Sequence, residues 1–173
     1  MPLPDSPERT ELHLRRIEMR GFRRADGLYE IDGRVLDTKT TSLSIPGRAE
    51  PLAAGMPVHD MWIRLVVDED LVVKDVLAVT DASPYGVCRE AVAPLAVIIG
   101  EQIKPGWTNL VKEKLGGPVG CTHLMELLMP LATTAFQTLA PVRLRRLDVI
   151  GASGRPAKID SCYAYASQRE VVR

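Results

Sequence analysis

Three short segments of this 173-residue chain hold most of the side chains able to bind a soft metal or attack carbon. They are His59-Asp60, Tyr85-Gly86-Val87-Cys88 and Gly120-Cys121-Thr122-His123-Leu124. Imidazole, thiolate and carboxylate are the donors that zinc and iron take, three or four to a site. No C-x-x-C or H-x-x-x-H occurs, so a zinc finger is excluded and any site must be assembled by the fold. All three segments fall at element ends, where a fold can bring them together, and a mononuclear zinc or iron site is expected. His59, Cys88 and Cys121 are its ligands, and Asp60 or His123 is the fourth ligand or an orienting partner.

The same residues allow metal-free chemistry. A helix start favours anions, and the thiolate is the form of cysteine that attacks carbon. Cys121 is then a nucleophile, with His123 or His59 as base and Glu126 or Asp60 orienting it. Two residues apart on a helix point about 200° apart, which favours His59 over His123 as the base if Cys121 is helical. A third reading keeps both cysteines in the core and makes the domain a dimerising or partner-binding module. Cys162, in Ser161-Cys162-Tyr163, joins a site only if the tail folds back.

These segments fall at the ends of elements. Leu12 and Leu14 alternate with polar neighbours, as do Ile17 and Met19, with a one-residue phase shift across Arg15-Arg16 that predicts a bulged or irregular edge strand. Asp26-Gly27 makes a turn into a strand over Leu28–Leu36, and Thr38–Pro57, with three prolines, reads as a loop. Met61–Val67 and Leu71–Val79 form a hairpin around Asp68-Glu69-Asp70. Ala91–Ile103 reads as a helix that Pro94 begins or kinks, and Trp107–Leu115 as a short amphipathic one. Leu124, Leu127, Leu128, Leu131, Ala135 and Leu139 recur at helical spacing, so Cys121–Leu139 is a helix that Pro130 kinks. Trp107 is expected to pack between the two longer helices, and Arg155–Val172 to add a strand or an ordered tail.

Strands followed by helices are the α+β pattern. The chain divides into an N-terminal arm and β extension (1–54), a metal-binding α+β core (55–140) and a C-terminal strand or tail (141–173). Lys+Arg and Asp+Glu are equal at 22 each, so nothing points to nucleic acid or a membrane surface. No apolar run reaches the ~20 residues of a bilayer span, and Met1-Pro2-Leu3-Pro4-Asp5 lacks a secretory pattern. A cytoplasmic location is expected, with a second copy or a protein as partner and three cysteines as free thiols or ligands.

Gly55-Met56-Pro57-Val58-His59-Asp60, the hairpin, Tyr85-Gly86-Val87-Cys88 and Cys121-Thr122-His123-Leu124 together resemble the U-type iron–sulfur cluster scaffold proteins over residues 55–139. The resemblance implies a small α+β fold whose cysteines, aspartate and histidine bind zinc or a nascent cluster. The scaffold pattern has a cysteine where this chain has His59 and Asp60, and adjacent His-Cys where Thr122 separates Cys121 from His123. With fewer thiolates, a mononuclear site is better supported than cluster assembly. The whole chain also resembles a bacterial family catalogued only as a domain of unknown function. Gly120-Cys121-Thr122-His123 is similar to the second catalytic motif of aspartate/glutamate racemases, but the alternating strand–helix pattern of those two-lobed enzymes is missing.

Overall fold

The computed structural model describes residues 4–147, 154–156 and 158–172. Strands β1 (His13–Arg23), β2 (Tyr29–Lys39), β3 (Pro57–Val67) and β4 (Val73–Ala82) form one antiparallel sheet in sequence order. Each hairpin has its own local cause. At Asp26-Gly27, glycine takes the left-handed backbone (φ 86°) and the Asp26 carboxylate accepts the Leu28 N–H. Between β3 and β4 the Asp68 carboxylate accepts the N–H groups of Asp70 and Val72. The architecture is therefore α+β, a sheet followed by packed helices, as the element order implies.

Helices α1 (Trp107–Leu115), α2 (Thr122–Thr138) and α3 (Ala140–Leu147) follow the sheet. Alternation turns Ile31, Val35, Met61, Ile63 and Leu65 to one face, where they meet Leu124, Leu127, Leu128, Leu131 and Ala135 of α2. On the other face Trp62, Leu77 and Val79 are exposed. Two glycines let α2 approach closely. A Cβ on Gly33 would lie 2.8 Å from Met19 Sδ and 3.0 Å from Leu131, and one on Gly21 would meet Thr138. Trp107 is 5% exposed and donates its indole N–H to the Leu128 carbonyl at 3.1 Å, which ties α1 to the middle of α2.

Four expectations change. The β1–β2 register runs unbroken from His13↔Lys39 to Arg23↔Tyr29, so β1 has no bulge. Leu14 falls out of phase because Arg15 takes the helix-facing position to pair with Asp37. Strand β2 runs on to Lys39, three residues past Leu36, and its irregularity lies at Asp37/Thr38. In place of a helix over 91–103 there is a 3-10 segment over Gly86–Ile98, with Pro94 inside it. Residues 158–172 hold turns and a 3-10 turn at Glu170–Val172, with no strand among the described residues. No helix among the described residues is long and apolar enough to cross a membrane.

Candidate metal centre

Where β1, β2 and β3 meet the start of α2, polar side chains replace the apolar core. Ile31, Gly33, Val35 and Asp37 alternate onto the helix-facing side of β2, and His59 stands opposite Asp37 in the register. Asp37 is 1% exposed. Its carboxylate accepts two hydrogen bonds from Arg15, Nε to Oδ1 at 2.8 Å and Nη2 to Oδ2 at 2.9 Å. His59 Nδ1 lies 3.0 Å from Oδ2 and His13 Nε2 lies 3.2 Å from Oδ1. Arg15 reaches further, to Glu126 of α2 at 3.0 Å.

α2 brings the second imidazole. The rings of His59 and His123 have centroids 3.8 Å apart at an interplanar angle of 31°. Cys121 Sγ is 3.8 Å from His123 Nδ1. Cys121 can face His123 because it is not helical: it caps α2 in an extended conformation (φ −83°, ψ 128°). The 200° separation that holds within a helix does not apply across a cap. One ligand atom each from Asp37, His59 and His123 lie within 4.8 Å of one another.

Electrostatics keep both imidazoles ready to donate a lone pair. Burial pushes the His59 pKa below its ordinary value and outweighs the pull of Asp37. His123 is lowered by burial too, reinforced by the charges of His59 and Arg15. For Asp37, burial pushes up, but the hydrogen bonds and charge of Arg15, aided by His59 and His13, hold the carboxyl below its usual range. The Arg15 guanidinium is raised in turn, chiefly by its hydrogen bond to Asp37. The ensemble is a carboxylate with two neutral imidazoles and a thiol, a donor set suited to a borderline-soft metal.

Of the residues expected from sequence, His59 and His123 come together with Asp37, and Cys121 stands outside that group, beside His123. Asp60 does not join them. Alternation puts it on the open face of the sheet, where Arg34 grips it at 2.8 and 2.6 Å. Cys88 stands in the 3-10 segment outside the Asp37–His59–His123 group. Cys162 is exposed in the C-terminal turns. Asp37, Arg15 and His13 were not anticipated. The signal for Asp37 was the strict alternation 31-33-35-37, which places it on the core side if the strand is read one residue further.

The chain belongs to the family described as protein of unknown function DUF2889, which matches residues 13–137 and so takes in all four strands and nearly all of α2. No curated protein and no solved structure matches the chain, and the iron–sulfur scaffold resemblance has no counterpart in these comparisons.

Proposed function

We propose that this member of the family binds one zinc or iron(II) ion, with His59 and His123 as nitrogen ligands and Cys121 as the thiolate ligand. Asp37 serves as the carboxylate that fixes the His59 ring and keeps its other nitrogen available as a donor. A carboxylate on the far nitrogen of a ligating histidine is the usual orienting arrangement. The observation that carries the reading is the convergence of Asp37, His59 and His123 ligand atoms within 4.8 Å. Cys121 stands outside that group of three but next to His123, at a spacing one ion could span. Tetrahedral zinc with bonds of about 2.1 Å to nitrogen and about 2.3 Å to sulfur holds those atoms roughly 3.6 Å apart. Cys121 Sγ and His123 Nδ1 are 3.8 Å apart. Zinc suits a mixed nitrogen–sulfur set better than iron(II) does. Bound with three protein ligands, such an ion would act as a Lewis acid.

Protein purified without chelator should carry about one equivalent of metal, the stoichiometry of a mononuclear site. Cobalt(II) should give a thiolate charge-transfer band that vanishes in Cys121→Ser. Metal-free protein that takes up no cobalt(II) would sink the reading.

The contact between Cys121 and His123 supports a second reading, a metal-free cysteine enzyme with Cys121 as nucleophile and His123 as its base. Exposed Cys162 is the internal reference. Chelator-treated protein should be alkylated at Cys121 faster than at Cys162, and His123→Ala should remove the difference. Equal rates in the parent protein count against this chemistry.

A further inference from the structure

On the far side of α2 from the β1 edge lies a cavity of about 470 Å³, within the range of small-molecule sites. Leu71, Trp107, Met129 and Phe136 give it apolar walls. Trp107 already spends its indole N–H on Leu128, so its ring offers only apolar surface here. Lys104 and Arg143 also line the cavity, and no acidic side chain does among the described residues. Arg143 donates Nη1 to the Glu69 carbonyl at 3.0 Å, which anchors the guanidinium. Its Nε is buried and has no hydrogen-bond partner among the described residues. Lys104 is exposed and has no ion-pair partner among the described residues.

We propose that this cavity binds an amphipathic organic carboxylate, its acid group held by Arg143 and Lys104 and its hydrocarbon tail lying along Leu71, Trp107, Met129 and Phe136. Arginine offers planar paired donors to a carboxylate, and lysine adds a point charge. The site shares no residue with the His59–His123 centre and stands or falls independently of metal binding.

Octanoate and 1-octanol have the same tail and different heads, and in Trp62→Phe the emission reports Trp107 alone. Octanoate should shift that emission saturably and bind more tightly than 1-octanol. Arg143→Met should weaken octanoate about tenfold, the effect of one charge-assisted hydrogen bond, and leave 1-octanol unchanged. Lys104→Met, at an exposed loop position, should weaken octanoate severalfold even if the Arg143 variant fails to fold. No saturable shift with octanoate, equal affinity for the two probes, or full octanoate affinity in both variants overturns the proposal.

Discussion

The imidazoles of His59 and His123 stack with centroids 3.8 Å apart, one carried by a strand and the other by the first turn of the helix that covers it. Neither ring could hold this position alone, because Asp37 fixes the first and the start of α2 fixes the second. Stacking is favourable only while at least one ring is neutral, and burial depresses both pKa values.

Acid should therefore destabilise the fold in two stages. Both histidines titrate below 6.5 in the folded protein and near it when unfolded, so the unfolded chain binds more protons between those values. Their contribution is complete above pH 6.5 and is lost as pH falls through the folded values. Asp37, also depressed, contributes above its unfolded value of 3.8 and loses that contribution at lower pH still. Thermal melts of metal-free protein should show the first stage, and His123→Phe should remove the part of it that His123 contributes. A flat melting temperature from pH 7.5 down to about 5 would contradict this assignment.

Asp37→Asn keeps the shape and removes the charge. Arg15 is about a third exposed and can turn to water, so the cost should fall between the ~1 kcal/mol of a surface pair and the ~3–5 kcal/mol of a buried one. Metal affinity, measured by competition with a chromophoric chelator, should drop about 10–100-fold because the His59 ring loses its anchor. His59→Ala and His123→Ala should lose tight binding altogether.

Asp60→Asn is the matching control. Its bidentate partner Arg34 lies on the open face, 4.7 Å from the centre of the Trp62 ring. Stability should fall by roughly 1 kcal/mol and metal affinity should stay within twofold. A large loss of affinity would return Asp60 to the ligand set.

Gly21→Ala probes the seat of α2. The added Cβ would fall 1.8 Å from Thr138 Oγ1 and 2.8 Å from its Cβ, an overlap that forces helix and strand apart. Overpacking of this kind costs about 1–3 kcal/mol. Thr138→Ala clears the closest atom but not the Cβ, so a double-mutant cycle read by denaturant melts should show partial rescue.

Trp107→Phe should cost about 1–3 kcal/mol in the same melts, since the buried Leu128 carbonyl loses its indole donor.

The helices that were legible in sequence were those whose burial is one-sided. Trp107–Leu115 and the leucine repeat of α2 coincide with the observed spans to within a residue or so at each end, because an apolar stripe at helical spacing has few alternative readings. Arg15 and Asp37 were illegible for a related reason. Each is charged and each stands at a core-facing position, where a strand ordinarily carries an apolar side chain. Only their pairing makes the position tolerable, and pairing across 22 residues depends on a register that composition does not encode. His59, Cys121 and His123 drew notice through their chemistry alone, wherever the chain put them. Asp60 was misplaced by one step of alternation, the difference between the two faces of a sheet.

β1 borders the sheet on one side only, yet its Arg15 clasps both Asp37 and Glu126 of α2. Outermost strands peel most readily, and peeling this one would strip Asp37 of its counterion and loosen His59 in the same motion. Occupancy of the centre and fraying of the border are thus two readings of one equilibrium. Amide exchange along His13–Arg23 should slow whenever the centre is filled, making the most exposed stretch of the sheet a gauge of what it holds.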